Sequence, residues 1–151
     1  WVEEPINPPE DFESLSNIRS ESLIPLAAGE NACTSFEFKK MFEVEAVDYA
    51  QPSVTKVGGI TEFNKVVSIS QSYGVQVMPH SPYFGPGFLA TLHLAQSMPN
   101  PGLLERFFID LEAYLYPVEI FTPKDGFFRI NPNIGLGYEP DINVLKDYIV
   151  K

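Results

Sequence analysis

The chain has 151 residues with 20 acidic and 10 basic side chains, a net charge of −10, which excludes nucleic acid and anionic membrane surfaces as partners because both need clustered Lys and Arg. The lone cysteine, Cys33, excludes an internal disulfide and fits a reducing, cytoplasmic setting. Apolar runs such as residues 88–92 are far too short to span a bilayer.

Five short apolar segments recur along the chain, and each carries a polar residue suited to acid–base or metal chemistry. They are residues 1–5 (WVEEP), 24–31 (IPLAAGEN), 46–53 (AVDYAQPS), 75–81 (VQVMPHS) and 103–110 (LLERFFID). The polar residues are Glu3, Glu30, Ser53, His80 and Glu105, at steps of 27, 23, 27 and 25 residues. A parallel strand, a loop, a helix and a return loop need about that length. The spacing predicts βα units of a (β/α)8-type barrel, whose active site gathers groups from the C-terminal ends of different strands. A leucine-rich repeat has a similar period, but its signature is missing and the helical segments here are too long.

Helical signals lie between the strands. Pro9-Glu10-Asp11 opens a helix running to about Glu21, with acids in its first turn where the helix dipole favours them. Thr34 or Ser35 caps a second helix through Glu45, with Glu37 placed for a capping box. Thr61 caps a third over residues 62–73, apolar at Phe63, Val66 and Val67 and closed by Gly74. Residues 87–98 form the fourth. From Tyr116 the text becomes rich in Pro and Gly. Lys124-Asp125-Gly126 marks a hairpin turn, and Asp141 caps a last short helix over residues 142–150. This tail breaks the βα rhythm and is expected to pack outside the barrel.

A whole barrel needs about 250 residues. The chain starts at Trp1, already near a strand end, so an N-terminal part of the protein is expected to precede it. Glu3 and Glu30 end adjacent strands, and hard oxygen ligands at an open site suit Mg²⁺. Alternation turns Glu4 to the opposite face. His80 is placed to move a proton near neutral pH; His93, mid-helix, reads as structural, as does Cys33. Glu105 is either a hydrogen-bonding acid or a simple partner of Arg106.

Together WVEEP, AAGEN, QPSVTKVGGITE, MPHS and LLER resemble the strand-end motifs of the enolase superfamily, in its mandelate racemase-like branch, and DGFFRINPNIGLGYEPD resembles the C-terminal piece of that family. The resemblance implies an α/β fold, the C-terminal portion of a (β/α)7β barrel. Residues 1–115 would hold strands 4 to 8 with their helices, and 116–151 would return to an α+β capping domain. It implies Mg²⁺ and abstraction of the proton α to a carboxylate, giving a metal-stabilised enolate. By the same resemblance Glu3 is the second metal ligand, Glu30 the third, His80 the general base and Glu105 the acid that hydrogen-bonds the substrate carboxylate. The first ligand and a second-strand lysine fall in the missing N-terminal half. Lys56 matches a recurrent lysine of the strand–helix junction that is not a base. Ser53 departs from the pattern, because the branch has an Asp there to orient the histidine.

The function implied is an acid-sugar or hydroxy-acid dehydratase. A racemase or epimerase shares the enolate step, and the aromatic loop 81–87 suits a less hydroxylated acid. A non-catalytic homologue serving as a binding subunit is the alternative of another class. The partners expected are a small carboxylate substrate, the missing N-terminal half of the same protein and further copies in a homo-oligomer.

Overall fold

The computed structural model describes residues 1–150. Strands and helices alternate as β1 (Val2–Glu3), α1 (Phe12–Glu21), β2 (Leu26–Ala28), α2 (Ser35–Glu43), β3 (Tyr49–Ala50), α3 (Ile60–Tyr73), β4 (Gln76–Val77) and α4 (Pro86–Ser97). The strands form one parallel sheet in sequence order. Glu3 pairs with Ala27, Ala27 with Tyr49, and Tyr49 with Gln76. Each strand is followed by a helix that returns the chain, so all four C-terminal ends share one edge, as in a segment of a TIM-like barrel.

Alternation along the strands separates two faces. Leu26, Ala28, Ala50 and Val77 join Leu15, Phe38, Met41, Phe42, Phe63 and Val66 in one buried cluster between sheet and helices. Their neighbours Ala27, Tyr49 and Gln76 lie in the row of Glu3, on the opposite face. Asp48, at the start of β3, ties the other end of the sheet. Its Oδ2 accepts from the Leu26 amide at 2.8 Å, and its Oδ1 accepts from Arg19 Nε at 3.0 Å.

The helix ends follow the sequence signals closely. Asp11 accepts from the Ser14 amide at 3.1 Å. Thr34 caps α2 by accepting from the Glu37 amide at 3.3 Å, and Glu37 returns to the Cys33 amide at 3.0 Å, one residue earlier than a regular capping box. Gly74 takes the left-handed conformation, φ 69°, that closes α3. The expected Thr61 cap is corrected: α3 starts at Ile60 with Gly59 as its cap and no side-chain capping bond. Glu62 instead serves the neighbouring helix, accepting from the Ser35 amide at 3.0 Å and the Ser35 hydroxyl at 2.5 Å.

The fifth expected strand is also corrected. Residues 101–110 run beside β4 without joining the ladder. Pro101 has no N–H to give. The Leu103 amide donates to Met78 Sδ at 3.0 Å, and the Ser81 amide donates to the Glu105 side chain at 3.0 Å. Side chains therefore occupy donors that a backbone ladder would use.

In the tail, Lys124 and Phe127 exchange two backbone hydrogen bonds, at 2.9 and 3.0 Å, around Asp125 (φ 55°) and Gly126 (φ 79°). The expected hairpin is real but one pair long. Asp141 caps α5 (Ile142–Asp147) through the Asn143 amide at 2.8 Å. Part of this tail packs on a barrel helix. Tyr116, Ile120 and Phe121 form a second buried cluster with Phe88, Leu89 and Leu92 of α4. Phe127, Ile134, Ile149 and Val150 remain exposed. Among the described residues, no helix is long and apolar enough to cross a membrane.

Two outcomes follow from this packing. Phe38 is fully buried between α2 and the sheet, so Phe38→Ala should cost about 3–5 kcal/mol of unfolding free energy in a denaturant titration. The Lys65 ammonium, with the Ser35 hydroxyl and amide, holds the Glu62 carboxyl at about 2, down from an ordinary 4.5. Its folded-state value is depressed, so its contribution is present above about pH 4.5 and is lost as pH falls toward 2. A carboxyl-carbon NMR titration should place the Glu62 midpoint near 2, and Glu62→Gln should flatten the pH dependence of stability in that window.

Candidate active site

Glu3 ends β1, and its carboxylate accepts from the Trp1 indole N–H at 3.3 Å. Glu30 lies two residues past β2, after Gly29. His80 lies three residues past β4, pinned by its own amide to the Pro52 carbonyl at 3.2 Å. Ligand atoms of Glu3, Glu30 and His80 all lie within 4.8 Å of one another. Two oxygen ligands across one Mg²⁺ are at most about 4.2 Å apart, so the cluster is near the spacing one ion needs. The imidazole in that group had been expected as a base only.

His80 is 8% exposed, and its Nδ1 lies 3.1 Å from an oxygen of Glu30 and 3.1 Å from an oxygen of Glu105. Nδ1 is thus close to two carboxylates yet hydrogen-bonded to neither. A buried polar atom left open at a strand end points to a missing ligand or substrate. Glu105 reaches His80 because the Ser81 amide holds the same carboxylate oxygen at 3.0 Å. Arg106 does not compete for it: its Nε donates to the Phe121 carbonyl at 2.7 Å, and its guanidinium sits over the Phe108 ring.

Three features were not visible in the sequence. Lys56 extends to Glu30, with Nζ 3.3 Å from Oε1, so Glu30 lies between an ammonium and an imidazole. Glu4 does not turn away as strict alternation demands. With φ 39° it leaves the strand, and its carboxylate accepts from the Asn31 amide nitrogen at 3.0 Å and the Gly29 amide at 3.4 Å. Burial, with the charges of Glu30 and Glu3, pushes the Glu4 carboxyl above its ordinary value against the pull of those two donors. The side-chain partners of Ser53, fully buried, are Thr55 Oγ1 at 2.9 Å and Tyr83 OH at 2.7 Å, not His80. His93 lies within α4, and Cys33 is exposed beside the start of α2.

The family model described as enolase C-terminal domain-like matches residues 1–144. A D-galactonate dehydratase of Xanthomonas oryzae pv. oryzae is 33% identical over 97% of this chain, and a D-galactonate dehydratase of Variovorax paradoxus is 32% identical over 93%. The chain spans about 40% of the length of these curated relatives. Among solved structures, the 3,6-anhydro-D-galactonate cycloisomerase of Zobellia galactanivorans superposes with a TM-score of 0.88 at 28% identity, covering 100% of this chain and 43% of that one. The L-talarate dehydratase of a Polaromonas species, complexed with Mg and L-glucarate, superposes with a TM-score of 0.62 at 29% identity, covering 72% of this chain and 28% of that one.

Proposed function

This chain belongs to the enolase superfamily, in its mandelate racemase-like branch, and on that premise we propose that it forms the proton-transfer half of an Mg²⁺-dependent acid-sugar dehydratase. The observation that carries the reading is His80, buried at a strand end with Nδ1 open between the carboxylates of Glu30 and Glu105. The donor set fits a hard divalent cation, with Glu3 and Glu30 as oxygen ligands. Bound there, such an ion supplies positive charge beside the substrate carboxylate and so lowers the cost of removing the α-proton.

The chain's own residues supply the rest. His80 takes the proton from the α-carbon. The electron pair of that bond becomes the Cα=Cβ double bond as the bond from Cβ to its hydroxyl breaks. The same imidazole returns its proton to the departing hydroxide, which leaves as water. Glu105, fixed by the Ser81 amide, meets the substrate carboxylate as a hydrogen-bonding acid.

The aromatic side chains of the loop 81–87 are engaged within the fold, which weakens the case for a less hydroxylated acid. Phe84 packs on Tyr114 and Phe121 in the second cluster, and the Tyr83 hydroxyl is engaged with Ser53. Asn31, Glu4 and Lys56, all reaching the same edge, suit a hydroxylated acid better.

The test is turnover of D-galactonate with Mg²⁺ in deuterated water by the intact protein, followed by NMR. His80→Asn should slow turnover by about 10²–10⁴-fold, the usual cost of losing a positioned base. Unchanged turnover in that variant would remove His80 from the chemistry, and deuterium entering recovered substrate without loss of water would point to racemisation or epimerisation instead. In calorimetry, Glu3→Gln and Glu30→Gln should each weaken Mg²⁺ binding by at least about 10-fold, while His80→Asn leaves it within about twofold. A collapse of metal affinity in His80→Asn would make the imidazole a ligand.

A further inference from the structure

We infer that Tyr83 is the positioning residue of His80, and that Ser53 and Thr55 buttress Tyr83 and take no part in proton transfer. The inference rests on the reading of His80 as the base. It explains how the site works with a serine where its branch has an aspartate.

The Ser53 side chain is fully buried, and its single proton can serve only one of the two hydroxyls beside it, Tyr83 OH at 2.7 Å and Thr55 Oγ1 at 2.9 Å. Both distances are those of ordinary O–H···O bonds. The three hydroxyls form a chain from the loop after β3 to the loop after β4. At its far end the Tyr83 ring stands edge-on to the imidazole, with centroids 6.0 Å apart and planes at 87°. That edge-to-face contact orients the plane of His80 without adding charge.

Two further contacts brace the arrangement. The His80 amide donates to the Pro52 carbonyl, the residue before Ser53, at 3.2 Å. Gly87 brings the start of α4 so close that a Cβ there would lie 2.5 Å from Thr55 Cγ2 and 3.4 Å from Tyr83 Cδ2. The loop between β4 and α4 is thus docked on the Ser53 segment by shape as well as by hydrogen bonds.

The test uses the intact protein and needs no substrate for its first two readouts. The His80 imidazole C–H resonance is assigned by its loss in His80→Asn. Tyr83→Phe keeps the ring but removes the hydroxyl. It should broaden or shift that resonance and raise amide exchange at residues 83–85 by about 10-fold. Ser53→Ala should do the same, and the double variant no more than either alone, because both cut one bond. Thr55→Val, at the outer end of the chain, should have a smaller effect. With turnover in hand, Tyr83→Phe should lower kcat by about 10-fold and leave KM and Mg²⁺ affinity unchanged.

An unmoved His80 resonance in both Tyr83→Phe and Ser53→Ala would reduce Tyr83 to a loop anchor and overturn the inference. Additive effects of the two substitutions would overturn the shared bond. A wild-type protein that dehydrates no hydroxy acid would fail the proposed function alone, with resonance and exchange still deciding the role of Tyr83.

Discussion

Parallel pairing in register is the constraint on which the site depends. Glu3, Ala27, Tyr49 and Gln76 form one row across the sheet. Glu3 acts from that row itself, whereas Glu30 lies three residues past Ala27, Ser53 four past Tyr49, and His80 four past Gln76. The later groups thus lie beyond the ladder, in the loops that follow the strands. They are held there by loop contacts such as His80 to Pro52 and not by strand hydrogen bonds. A one-residue slip of β1 would turn Glu3 to the helix side of the sheet, where Phe38, Phe63 and Val66 pack.

Electrostatics then makes the cluster incomplete by itself. Glu3, Glu30 and Glu105 converge on one imidazole, Lys56 pairs with Glu30, and the Glu4 carboxyl lies within the reach of the charges of Glu30 and Glu3. Lys56 takes one oxygen of Glu30, and His80 approaches the other. That balances part of the charge, while burial first, and the charges of Glu30 and Glu3 after it, push the Glu4 carboxyl upward. Carboxylates gathered this closely favour an added cation, and the half-exposed edge they occupy leaves a path for one.

Features governed by local chemistry were legible in the sequence. Thr34, Gly74, the Asp125-Gly126 turn and Asp141 all act within a few residues of themselves and match the expectation, whereas the first helix starts at Phe12, with Asp11 as its cap and not in its first turn. The 23–27-residue interval likewise located four strands and brought Glu3, Glu30, His80 and Glu105 together. What stayed hidden depends on conformation or on distant partners. Glu4 turns inward through a left-handed backbone that nothing in Glu-Pro announces. Ser53 finds Tyr83 across 30 residues. The fifth strand fails because Met78 and Glu105 claim amides that alternation alone assigns to a ladder.

Gly29 is where core and chemistry meet. It holds φ 128°, and a Cβ there would come within 2.6 Å of the Phe38 ring and 3.3 Å of the Gln51 amide. Its backbone carries the chain from the packed interior straight to Glu30. In evolutionary terms the two selections are therefore not separable. A lineage cannot repack the space around Phe38 without re-aiming Glu30, nor drift at Gly29 without disturbing the core. Changes that leave both Phe38 and Glu30 in place are confined to positions that touch neither.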